Sequence, residues 1–404
     1  MIKSKKLLAA SMVAALGIAA CGSDDDADDA PAEDEAPADE PADAEEPAEE
    51  PAEDDDAMED DDAMEEPAED DDAMEDDDAM EDDDAMEEPA EEPAGEAAAV
   101  GVVFDITGRG DRSFNDAAGA GLDQAAAELG IVPSESTPTG DGDRAERVQG
   151  LVDDGAGLVV GVGFLFGDAI TTASAGNPDT SFAIVDSVVE ADNVASLVFA
   201  EEQGSFLVGA AAALKSQTGT VGFIGGVEND LIKKFEAGFV AGAQQVNPDI
   251  EVLVNYITQP PDFGGFNDPA RGREIASAQY EAGADIVYSA AGSSGLGAFE
   301  AAVEAGAPGE VWAIGVDSDQ FNLVSEEIQP YILTSMLKKV DVAVFNTIEA
   351  FANGEFAGGV QVFDLASDGV GYSTSGGFVD DITGDLDALA AQIVAGDIEV
   401  PATP

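Results

Sequence analysis

Short apolar runs alternate with longer stretches of helical period from residue 98 to about 363. The runs at 98–104, 157–162, 181–185, 196–199, 220–224, 251–256, 285–289, 311–316 and 332–335 read as strands. The Ala/Leu/Glu-rich stretches at 116–129, 144–153, 202–217, 231–246, 270–282, 297–305 and 340–353 read as helices. Glycines such as Gly130, Gly155, Gly283 and Gly306 sit where those helices should end in a left-handed cap. Strands alternating with helices of ~10–15 residues build βαβ units and parallel sheets. About nine strands are more than one sheet of ordinary size accommodates, so the pattern predicts an α/β protein of two lobes. The first lobe is expected to hold residues 98–200 plus about 336–358, and the second 201–335 plus about 359–404. Two lobes joined by several chain crossings leave a cleft that a hinge can close around a ligand.

Before residue 98 the pattern changes character. Lys3, Lys5 and Lys6 form a basic head, residues 7–20 are apolar, and Ile18-Ala19-Ala20 precedes Cys21. This is an export signal, and it resembles a bacterial lipoprotein signal. The resemblance implies cleavage after residue 20 and lipid attachment at Cys21, with several acyl chains giving a stable anchor. The apolar stretch is shorter than the ~20 residues a spanning helix needs. Residues 22–96 then hold 42 Asp and Glu without a single Lys or Arg, and DDDAME occurs five times. A segment this charged and this poor in large apolar residues cannot offset its ordering entropy, so 21–97 is read as a disordered, extended linker.

The 404 residues carry 88 Asp and Glu against 14 Lys and Arg, and no histidine. Even residues 97–404 alone hold 46 acidic and 11 basic residues, a balance that argues against nucleic acid and anionic lipid surfaces. One hypothesis is adaptation to high salt, where screening relieves self-repulsion; melting across a salt series with no gain in stability would count against it. A single cysteine, already committed to the leader, leaves no disulfide and no thiolate metal site. Without histidine no Ser-His-Asp or Cys-His system exists, and neither a Walker A loop nor a dinucleotide fingerprint is present. The chain is therefore read as a non-enzyme without cofactor or metal.

What remains suits recognition. Residues 104–115, FDITGRGDRSFN, join the first strand to the first helix, at the sheet edge where open α/β folds bind ligands. Phe114 and Phe266 each sit in a polar loop before a helix. Each is either a hydrophobic staple on its own helix or one of two plates holding a planar ring. Asp105, Asp186 and Asp317 follow strands, where an Asp is often an N-cap; three such positions, with Lys338, favour a cleft cluster. Lys233 and Lys234 read as a solvated helix face and Trp312 as core. Asn229 or Asp230 reads as a helix cap, and Glu201-Glu202 as a helix start or a docking patch.

Between residues 100 and 351 the chain resembles the basic membrane protein family of substrate-binding lipoproteins, which includes the purine nucleoside receptors of ABC importers. The segments that carry the likeness are VGVVFDITGRGDRSFNDAAGAGL, EEQGSFLVGAAAALKS, GTVGFIGGVENDLIKKFEAGFVAGA, FNDPARGREIA, GVDSDQ and LTSMLKKVDVAVF. The resemblance implies a type I periplasmic-binding fold, no catalysis and delivery of a nucleoside, foremost a purine nucleoside, to an ABC permease at the outer face of the cell membrane. It places ligand contacts on Asp105 and Asn115, and ring-stacking plates on Phe114 and Phe266. Asp186 and Gly292 would line the cleft, with Asp317 on the ribose hydroxyls and Lys338 on a neighbouring edge. The expected state is a monomer. A receptor for a sugar or another small solute, or a surface sensory lipoprotein, are the alternatives. The family's first turn commonly has GG or GV where this chain has GRG, and Arg109 and Arg112 are expected to alter the rim.

Overall fold

The computed structural model describes residues 97–404 except Asp141. The export signal, Cys21 and the acidic repeats expected above lie outside the described residues. The chain runs β1 (Ala99–Val103), α1 (Phe114–Leu129), β2 (Val132–Ser136), α2 (Arg144–Asp153), β3 (Leu158–Val162), α3 (Gly167–Gly176), β4 (Ser181–Val185) and β5 (Val194–Phe199). A second series follows: α4 (Glu201–Lys215), β6 (Thr220–Val227), α5 (Asp230–Val246), β7 (Glu251–Thr258), α6 (Pro269–Glu281), β8 (Ile286–Ala290), α7 (Gly295–Ala305), β9 (Trp312–Asp317) and β10 (Ile332–Lys338). The chain closes with α8 (Val340–Ala352), β11 (Gly359–Phe363), β12 (Val370–Tyr372) and α9 (Thr383–Ala395).

Two six-stranded sheets result, in the orders β11-β5-β4-β3-β1-β2 and β12-β10-β9-β8-β6-β7. All pairs are parallel except β10 with β12. Each of the nine apolar runs is a strand, displaced by no more than three residues at either end. Three strands lack that signal. β2 (VPSES) and β11 (GVQVF) are solvent-exposed edge strands, so nothing selects an apolar run there, and β12 has only three residues. Helices α3 and α9 were also not anticipated. α3 (GDAITTASAG) has Ile170 as its one large apolar side chain, among Ala, Gly, Thr and Ser, so it carries no clear apolar period.

The lobes exchange chain three times. Ala200 separates β5 from α4, Lys339 separates β10 from α8, and residues 364–369 lead from β11 to β12. Residues 359–363 therefore belong to the first sheet, where β11 pairs with β5, and not to the second lobe as expected from about 359. The crossings are tied to each other: Ala200 donates its N–H to the Phe363 carbonyl at 2.9 Å, and Lys339 donates to Gly369 at 2.9 Å. Phe199 and Phe363 stack at 5.0 Å beside the first tie. In the second lobe, α4 and α5 touch backbone to backbone. A Cβ on Gly242 would stand 1.9 Å from the Phe206 carbonyl oxygen, so only glycine allows this approach. The approach brings Lys234 on α5 within 3.0 Å of Glu201 at the start of α4.

Candidate functional site

The turn from β1 to α1 is built around Asp111. Its carboxylate accepts the backbone N–H groups of Ser113 (3.0 Å), Asn115 (2.8 Å) and Asp116 (3.0 Å), so it caps α1 from outside the helix. Burial pushes this carboxyl above its ordinary range, against the pull of those three donors. Ser113, at the N-cap position itself, is thereby free to turn outward, and its hydroxyl donates to Asp317 Oδ2 at 2.6 Å. Ser318 donates back to the Ser113 carbonyl at 3.0 Å, and Gln320 donates to the Arg112 carbonyl at 2.9 Å. The first lobe's turn is therefore laced to the end of β9 in the second lobe.

Between the two lobes lies a cavity of about 310 Å³, at the small end of the ~300–1,000 Å³ typical of small-molecule sites. Its walls include all eight positions selected from the sequence: Asp105, Phe114, Asn115, Asp186, Phe266, Gly292, Asp317 and Lys338. They come from both sheets, mostly at the carboxyl ends of strands, as the open α/β rule requires. None of the three strand-end aspartates is a helix N-cap. Asp186 and Asp317 instead hold left-handed backbone, φ 67° and 63°, at matching positions after β4 and at the end of β9. Non-glycine residues in that region carry strain of order 1 kcal/mol or more, which is characteristic of functional positions.

The eight residues divide by what they have left to offer. Asn115 is fully engaged as a donor: its amide gives hydrogen bonds to Thr107 (2.7 Å) and Asp111 (3.0 Å), and its Oδ1 accepts the Asp105 N–H (3.0 Å). It shapes the wall and keeps only an acceptor lone pair. Lys338 and Asp186 are similarly occupied with each other, at 2.6 and 2.7 Å to the two carboxylate oxygens. Glu201 lies 3.3 Å from the same ammonium, which also stands 5.1 Å from the Phe114 ring centre, 4.9 Å from Phe199 and 5.6 Å from Phe235. Asp186 is pushed up to about 6, by burial first, with Lys338 opposing and Glu201 and Asp317 adding to the rise. Burial likewise raises Asp317. Burial works against the Lys338 charge, but the surrounding carboxylates outweigh it and hold the ammonium above its usual range.

Asp105 and Asp317 each retain an oxygen to which no described residue donates: Oδ2 in the first, Oδ1 in the second. Phe114 opens α1 and remains half-buried on the cavity wall. Phe266 ends a short turn after β7, where its ring lies over Gly226; a Cβ there would be 2.4 Å from the ring. Gly292, φ 56°, brings its backbone close to the Phe266 carbonyl.

The sequence did not single out Arg144, Phe164 and Phe263. Phe164 follows β3 and meets Phe263 and Phe266 of the other lobe edge-on, at 5.9 and 6.4 Å. The signal was available: Gly163-Phe164 occupies the same post-strand position that drew attention to the aspartates. Other sequence readings need correction. Glu201 is fully buried and paired with Lys234 and Lys338, so it is no docking patch, and Lys234, its side chain 32% exposed, turns its charge onto that buried carboxylate. Arg109 is a brace, pairing with Asp123 at 2.8 Å and Glu135 at 2.5 Å to tie the turn to α1 and β2. Asn229 caps α5 through the Ile232 N–H. Among the described residues no cluster of His, Cys, Asp and Glu is arranged to hold a metal ion, and no helix is long and apolar enough to cross a membrane.

A family model described as ABC transporter substrate-binding protein, PnrA-like, matches residues 98–404. A Lactococcus lactis protein named ABC transporter nucleoside-binding protein BmpA is 35% identical over 321 residues, covering 74% of this chain and 88% of that protein. A Listeria monocytogenes protein named CD4+ T-cell-stimulating antigen is 34% identical over 321 residues, covering 76% and 88%. Among solved structures, an ABC transporter system solute-binding protein from Aeropyrum pernix K1 superposes with a TM-score of 0.67 at 28% identity, covering 75% of this chain and 94% of that one. The two parallel-sheet lobes have the type I periplasmic-binding fold.

Proposed function

This chain belongs to the PnrA-like family of ABC transporter substrate-binding proteins, and we propose that its cavity captures a nucleoside, foremost a purine nucleoside, for delivery to a membrane permease. The observation that carries the reading is the meeting of Phe114 and Phe266, from different lobes, in one cavity beside two carboxylates with an oxygen to spare. The two rings sandwich the base, a contact that gains ~1–3 kcal/mol per base. Asp317 Oδ1 accepts from the ribose hydroxyls, which suit a carboxylate acceptor. Five carboxylates in the lining, Asp105, Asp111, Asp186, Asp262 and Asp317, face only Arg144 and Lys338. Such a wall repels a phosphate ester, so the ligand is the nucleoside and not the nucleotide. The protein performs no chemistry on it. Lipid on Cys21 anchors the chain at the extracytoplasmic face, and the acidic linker holds the lobes away from the membrane.

Isothermal titration of the purified full chain against nucleosides, free bases, nucleoside monophosphates and sugars tests this. Heat on nucleosides with none on monophosphates or sugars supports it. Binding of a sugar alone would transfer the site to the sugar-receptor reading, and silence across the panel would leave a sensory lipoprotein.

A further inference from the structure

We propose that Arg144 is a positioning residue that makes one wall of the cavity a dedicated acceptor, so that the site selects bases presenting a hydrogen-bond donor to Asp105. The inference rests on the nucleoside reading above. Arg144 opens α2 and is 8% exposed. Its Nη2 donates to Asp105 Oδ1 at 3.0 Å, and its guanidinium carbon stands 5.8 Å from the Phe166 ring centre. Oδ1 also accepts the Ile106 N–H at 2.8 Å, while the Asp105 N–H is held by Asn115. The carboxylate is thus fixed by its own backbone and through Oδ1, and Oδ2 is the oxygen to which no described residue donates.

Gly163 stands beside Oδ2. Its φ of 116° excludes other residues, and a Cβ placed there would lie 3.4 Å from Asp105 Oδ2 and 3.6 Å from Phe114 Cε1. Glycine therefore keeps open the gap between the aromatic plate and the free oxygen. A planar ring laid against Phe114 presents an edge to Oδ2. A carboxylate paired with a guanidinium only accepts hydrogen bonds, and a planar guanidinium fixes its geometry better than a point charge does. The base edge that meets it must donate.

The experiment titrates the full chain and its Arg144→Gln variant with inosine, adenosine and purine riboside. Inosine offers a ring N–H, adenosine an amino group, and purine riboside neither. The wild type is expected to prefer the two donor-bearing nucleosides over purine riboside by roughly tenfold or more, since a site built for a hydrogen bond rejects the analogue that lacks it. In Arg144→Gln the loss for inosine and adenosine should exceed the loss for purine riboside by about tenfold, the size of one charge-assisted hydrogen bond. Equal losses for all three would make Arg144 a fold residue and overturn the inference, as would a wild type indifferent to the donor. Should Arg144→Gln fail to fold, Asp105→Asn carries the same comparison, and the same equal loss would overturn it. A wild type that binds no nucleoside would remove the parent reading together with this one, a different result from binding all three alike.

Discussion

Replacing Lys338 with methionine keeps most of its stem among Phe114, Phe199 and Phe235 while removing the one ammonium between Asp186 and Glu201. Opposite charges ~3 Å apart attract by roughly 5–6 kcal/mol at an effective dielectric near 20, and desolvation offsets part of this. Breaking such a buried pair leaves an unpaired charge, so Lys338→Met should cost ~3–5 kcal/mol at pH 7.5. The pH dependence identifies the cause. In the wild type Asp186 is already raised from 3.8 to about 6, chiefly by burial. A carboxyl with a raised folded value penalises the fold above that value. The penalty, on the order of 3 kcal/mol, fades as pH falls through 6 and vanishes below about 4. Without Lys338 the folded value climbs further, so the variant sheds its penalty at higher pH than the wild type does. The stability gap should therefore narrow between pH 7.5 and 5. Urea melts of both proteins at several pH values measure it. A gap that stays constant with pH would mean that Lys338 contributes packing and not charge balance.

Phe114→Ala should weaken nucleoside binding by ~1–3 kcal/mol in titration calorimetry; unchanged affinity would reduce the ring to a staple on α1. Gly226→Ala places a methyl 2.4 Å from the Phe266 ring, so the plate must swing aside. Affinity should fall tenfold or more, beyond any change in melting temperature, and equal affinity would mean that the ring's seat is not needed. Ser113→Ala removes the 2.6 Å bond to Asp317 and with it one tie between the lobes. Stopped-flow should find ligand release roughly 10–150-fold faster, reflecting ~1.5–3 kcal/mol for a hydrogen bond to a charged group, whereas an unaltered release rate would deny the tie a role in holding the lobes shut. Cys21→Ala should move the chain from the membrane fraction to the soluble fraction, and retention at the membrane would refute the lipid anchor.

Much of the architecture was legible because buried strands must be apolar. Residues 181–185 and 251–256 announce themselves as strands for that reason, while the exposed pairs β2 and β11 do not. The crossing through β11 was misplaced on the same account, since an edge strand with Gln361 between two exposed valines carries no core signature. At the site, residue type and post-strand position picked out aromatic and charged side chains of one cavity wall, while Asn115 and Gly292 came from the family resemblance. What they could not convey is how each side chain's hydrogen bonds are allotted. Asn115 reads as a ligand contact, yet both its N–H groups are already taken by Thr107 and Asp111. Arg144 was invisible because a helix beginning with arginine looks like any solvated helix start, and its burial depends on where Asp105 lies.

The three crossings at Ala200, Lys339 and residues 364–369 have a mechanical consequence. A single linker would act as a swivel and let one lobe rotate freely about the chain. Three short segments side by side, joined by the Ala200–Phe363 and Lys339–Gly369 hydrogen bonds, act as a flexural strip that bends along one axis and resists torsion. Opening and closing then follow a single path. The Ser113–Asp317 bond lies close to this strip, because Asp317 pairs with Leu337 two residues before the crossing at Lys339, so the strip and the tie align the lobes from the same side of the cavity.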